Sequence, residues 1–76
     1  MPKYTLIGVN GNAFAVMGYT AKALKNEGLH AEVQTMLEKA KAGNYFQLVA
    51  TCDEYVQMAN AEAVKNGYEE QDDYGL

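Results

Sequence analysis

The residues able to do chemistry are few. The chain of 76 residues holds one cysteine, Cys52, and one histidine, His30. A nucleophilic pair would have to be these two, and such a pair needs its base within hydrogen-bond reach and a third group to orient that base. Cys52 falls on an apolar helical stripe, where a free cysteine acts as a small buried hydrophobe. His30 lies between Leu29 and Ala31 at the start of a helical pattern, a cap or surface position. No second cysteine exists for a disulfide or a cysteine-based zinc site. The expectation is therefore no catalytic residue, no metal and no cofactor. A second candidate is the loop Asn10, Gly11, Asn12. Placed before a helix, it offers backbone N–H groups and the positive end of a dipole, a generic anion site. It lacks the lysine and hydroxyl of a P-loop and is not a three-glycine dinucleotide fingerprint.

Charge narrows the partners. The net charge is −4, but four of the ten acidic residues, Glu69, Glu70, Asp72 and Asp73, crowd the last eight positions. Residues 1–68 then hold six acids against six lysines, and arginine is absent. Phosphate and nucleic-acid sites lean on arginine forks and basic clusters. Dispersed lysines on a neutral body argue against nucleic acid. Six tyrosines are more than a small core can hide, and tyrosine is enriched at interfaces, where the ring is covered and the hydroxyl stays wet. Tyr4, Tyr19 and Tyr55 are the candidates of this kind.

These groups must be positioned by one small domain. Hydrophobic residues make up 49% of the chain, too many for wholesale disorder. The opening MPKYTLIGV has no long apolar run before a small-residue cleavage site, and no stretch approaches the roughly 20 apolar residues of a membrane span. The expected setting is cytoplasmic. Residues 3–9, rich in β-branched and aromatic side chains, read as a strand. Asn10-Gly11 is compatible with a hairpin, which would make residues 13–17 a second strand. Alternatively Asn12 caps a helix over residues 13–27, wrapped by apolar residues around more than half its circumference. On this pattern Phe14 and Leu24 are core residues and Gly18 packs closely against a neighbour. Gly28 stops the helix, and Leu29 falls where a Schellman turn folds it back onto Leu24. A second, amphipathic helix spans residues 31–42. Asn44 and Gln47 form a capping-box pair for a third, which covers 45–58 and extends up to 66. Asn66-Gly67 ends it. Residues 68–76 form an acidic tail without periodicity, expected to be mobile.

The segments GNAF at 11–14, AL at 23–24 with Gly28, and AGNY at 42–45 followed by Tyr55 resemble a group of small uncharacterised bacterial and phage proteins. Their signature is (D/N)GNAF, a helix, and later a G-(D/N)-Y step into the last helix. The resemblance covers about residues 5–57. It implies a strand followed by helices and a bacterial or phage origin, and it implies no reaction. Asn10 and Asn44 stand where the group often has aspartate, so any cation role of those aspartates does not carry over.

The sequence thus points to an α+β domain over residues 1–67, with one strand and three helices packed around the first. It points to a non-enzymatic protein-interaction or regulatory protein, one form of which is a phage- or mobile-element-derived factor acting on a host protein. The alternative is a small-ligand or anion binder at Asn10, Gly11 and Asn12. A lone strand cannot satisfy its own backbone groups. Its open edge at Thr5, Ile7 and Val9 is the expected pairing site, in a homodimer or with a partner.

Overall fold

Two asparagines each start a helix. The Asn12 side chain accepts from the Phe14 N–H and opens α1, Ala13–Asn26. The Asn44 side chain accepts from the Gln47 N–H while Gln47 accepts from the Asn44 N–H, a complete capping box that opens α3, Tyr45–Lys65. Between them runs α2, Ala31–Ala42. The structure, a computed structural model, describes residues 1–70. The acidic tail expected at 68–76 lies mostly outside them.

The ends of α1 and α3 also match. Gly28 and Gly67 both adopt positive φ, 79° and 102°, the left-handed conformation that favours glycine. After α1, the Leu29 N–H reaches the Leu24 carbonyl at 2.8 Å and the Gly28 N–H reaches Lys25 at 3.0 Å. After α3, the Tyr68 N–H reaches Ala63 at 2.9 Å and the Gly67 N–H reaches Val64 at 3.0 Å. Both are Schellman turns, and both fold an apolar residue back over the helix. Tyr68, expected in the tail, is half-buried and packs against the core.

Side-chain bonds fix how the two helices lie. The Tyr45 hydroxyl at the start of α3 donates to the Gly11 carbonyl just before α1. At the other extremity, Asn66 Nδ2 donates to Glu27 Oε1 at 3.1 Å. So α1 and α3 run in the same direction and α2 returns between their ends. The bundle has one end with two helix starts and an opposite end with two Schellman turns.

The expected strand is absent. Among the described residues there are three helices and no strand, which corrects the α+β assignment to all-helical. Residues 1–9 form an irregular strap laid along α1 and α3. The reason is hydrogen-bonding supply. A strand is needed when backbone groups have only another backbone to pair with, and here side chains of the helices serve instead. Asn60 Oδ1 accepts from the Tyr4 N–H at 2.7 Å, and Asn60 Nδ2 donates to the Tyr4 carbonyl at 2.9 Å. The Thr5 N–H donates to the Tyr19 hydroxyl at 3.0 Å. Beyond them the Val9 N–H turns back to the Leu6 carbonyl at 3.1 Å. The unpaired edge that motivated strand pairing therefore does not exist at these positions.

The organising helix is also different. Of the buried residues, α3 contributes seven, Leu48, Cys52, Tyr55, Val56, Ala59, Asn60 and Ala63, against five from α1 and two from α2. The core is built around α3, and α1 is one of its two partners. Leu24 is fully buried as expected, but Phe14 is 79% exposed. Gly18, one turn further along that outer side, is exposed and has open space where its Cβ would be. The apolar breadth of this helix exceeds what the core uses, and the surplus faces out. No helix among the described residues is long and apolar enough to cross a membrane.

Candidate interaction surface and the buried clasp

The end where α1 and α3 begin is built from a short repeated pattern. Gly11-Asn12-Ala13-Phe14 and Gly43-Asn44-Tyr45-Phe46 share the form Gly-Asn-x-Phe. In each, the asparagine caps the helix and the phenylalanine takes its second position. Helical side chains lean toward the helix N-terminus, so both rings project toward this end. They are not used by the core: Phe14 is 79% and Phe46 82% exposed, and Tyr45 is 46% exposed with its ring edge-on to Phe46 at 6.3 Å. Residues 4–21 and 42–52 contain no Asp, Glu, Lys or Arg, while Lys39 and Lys41 belong to the last turn of α2, which ends at this side. Ile7, on the strap, is 88% exposed.

The loop Asn10, Gly11, Asn12 sits within this end, but its polar groups are engaged internally. Asn10 Oδ1 accepts from the Asn12 N–H and Asn12 Oδ1 from the Phe14 N–H, each at 2.8 Å. The Gly11 carbonyl accepts from Tyr45. The loop is a hydrogen-bonded cap tied to α3, and the hairpin alternative is excluded by the helix that follows it.

The opposite end carries a buried clasp. Glu27, the residue capping the end of α1, is 6% exposed. Its carboxylate accepts from Lys3 Nζ at 2.7 Å, from the Tyr4 hydroxyl at 2.5 Å and from Asn66 Nδ2 at 3.1 Å. Those donors, Lys3 foremost, hold its pKa down at about 2. Burial, reinforced by the bond to Glu27, pushes the Tyr4 phenol up. The Tyr68 hydroxyl donates to the Met1 carbonyl at 3.0 Å, and Lys3 Nζ stands 5.8 Å from the Tyr68 ring centre. No buried side-chain nitrogen or oxygen among the described residues lacks a partner.

The sequence-predicted interface residues divide accordingly. Tyr4 and Tyr55 are core residues, 8% and 4% exposed, the latter covered by Lys39 with Nζ 5.6 Å from its ring centre. Tyr19 is half-buried against Tyr4. Thr5 is exposed, Val9 half-buried, and Ile7 alone of the three stands fully out. Cys52 is fully buried and burial pushes its thiol pKa up, away from nucleophilic character. His30 starts α2 without a side-chain capping bond. The sequence reading missed Phe14 and Phe46 as surface groups, and the repeated Gly-Asn-x-Phe was the available signal. It also missed Glu27, Asn60 and Asn66, whose partners lie 23 to 56 residues away.

No family model, no curated protein and no solved structure matches the chain.

Proposed function

We propose that the protein acts by binding another protein, through the end where α1 and α3 begin. The observation that carries this reading is the pair of phenylalanines placed by the same four-residue cap, each about four-fifths exposed on a segment that holds no charged residue. Protein interfaces are enriched in aromatic residues and depleted of charge at their centres. Exposed apolar patches of this kind mark interaction sites. Folding alone does not account for the two rings, because neither contributes to the core. In the bacterial or phage setting that the motif resemblance implies, the partner that fits is a host protein. The anion-binding alternative loses support, since the side chains of Asn10 and Asn12 occupy two of the N–H groups it would offer.

The test is a photo-reactive side chain at position 46 in an otherwise unchanged chain, used in bacterial cells. A discrete cross-linked protein is expected. It should disappear when Phe14→Ser is added, with the circular dichroism spectrum unchanged. A cross-link that survives Phe14→Ser, or none at all, would overturn the reading.

A further inference from the structure

The strap, residues 1–9, packs Tyr4, Leu6 and Val9 against the core and is fastened there by discrete bonds. Only Tyr4 among its residues is buried. Bonds from the strap reach Tyr19 and Glu27 at α1 and Asn60 and Tyr68 at α3. Asn60 reads the backbone N–H and carbonyl of one residue, Glu27 takes an ammonium and a phenol, and Tyr68 takes one more carbonyl. Together they are a socket for a Lys-Tyr step. The socket cannot stand empty cheaply: a buried carboxylate and a buried amide would lose their partners, and such groups are costly when unsatisfied. The connection back to α1 is exposed at residues 10–12, and Gly8 turns with φ 86°.

We infer that the socket accepts the strap of a second copy of this chain, giving a reciprocal exchange in which each copy fills the other's socket. The bonds between strap and socket described above are reproduced in the exchanged form, so the two differ chiefly in the connection at residues 8–12, with its own hydrogen bonds, and in association entropy. The closed form holds the strap at an effective concentration in the millimolar range. Exchange prevails when copies are crowded or when the strap's own socket is mismatched. The socket residues Glu27 and Tyr68 lie at the end of the bundle opposite the aromatic rings.

Charge reversal tests the inference. Lys3→Glu puts two carboxylates in one socket, and Glu27→Lys puts two ammonium groups there. In a mixed pair with exchanged straps, both sockets become complementary. Each variant alone is expected to be monomeric with a lowered melting temperature. An equimolar mixture should give a species of twice the mass by native mass spectrometry, melting above either variant. The double variant K3E/E27K should return to a stable monomer. Mixing that changes neither mass nor melting temperature would overturn the exchange. Should either variant fail to fold, isotopically heavy and light wild-type chains refolded together at millimolar concentration decide the matter: mixed-mass dimers support it, and monomers alone refute it.

Discussion

The two ends of the bundle face the same problem and solve it with opposite chemistry. A helix terminus leaves up to four backbone groups without intrahelical partners. Where α1 and α3 begin, asparagine side chains supply the partners and the neighbouring aromatic rings stay in solvent. Where they end, two Schellman turns supply them, and a carboxylate is buried with three donors around it. One end exposes apolar rings that folding does not need. The other hides a charge that folding must satisfy. A group with no role in the fold is free to meet a partner, whereas the clasp is committed to holding the chain together.

Substitutions can break this contrast, starting with the interior that both ends flank. Leu24→Ala removes a fully buried side chain and should cost about 2–5 kcal/mol by chemical denaturation. At the clasp, Asn60→Ala strips partners from the Tyr4 N–H and carbonyl and should cost about 1–3 kcal/mol. A loss under about 0.5 kcal/mol would show that the strap is not held as described.

The carboxylate itself gives a pH signature. Because the folded pKa of Glu27 lies below its ordinary value of 4.5, its contribution is complete above that value and is lost as the pH falls toward about 2. Glu27→Gln should flatten the stability profile in this acid window. An unaltered slope would contradict the buried clasp.

At the other end the effects should be small. Gly18→Ala, on an exposed helical position with nothing within 4 Å of the new methyl, should stabilise by about 0.5–1 kcal/mol. Phe14→Ala and Phe46→Ala should each change stability by less than about 0.5 kcal/mol. If either costs several kcal/mol, that ring belongs to the core and the contrast between the ends collapses.

Much of the local structure was legible because its causes are local. The caps at Asn12 and Asn44, the stop at Gly28 and the contact of Leu29 with Leu24 all follow from residues within one turn of each other. The rule that placed Leu29 would also have docked Tyr68 after Gly67, had the acidic residues beyond it not suggested a tail. The strap was misread for a different reason. Its β-branched and aromatic content favours extended backbone, but whether such a segment joins a sheet depends on what is opposite it. What is opposite is Asn60, 56 positions away from Tyr4, and no local pattern announces that. Phe14 was misplaced because periodicity reports which residues are apolar, not how wide a stripe the neighbouring helices can cover.

The clasp also sets an order of events during folding. Its members join Met1 to Tyr68 and Tyr4 to Asn60, closing nearly the whole described chain into a loop, and long loops close late because their entropy must be overcome first. The strap is synthesised before every part of α3 that receives it. Through most of elongation its tyrosine has no place to go, and it docks only once the last helix has formed. The segment translated ahead of all three helices is thus the one that seals the fold, and until then it remains available to whatever the nascent chain meets.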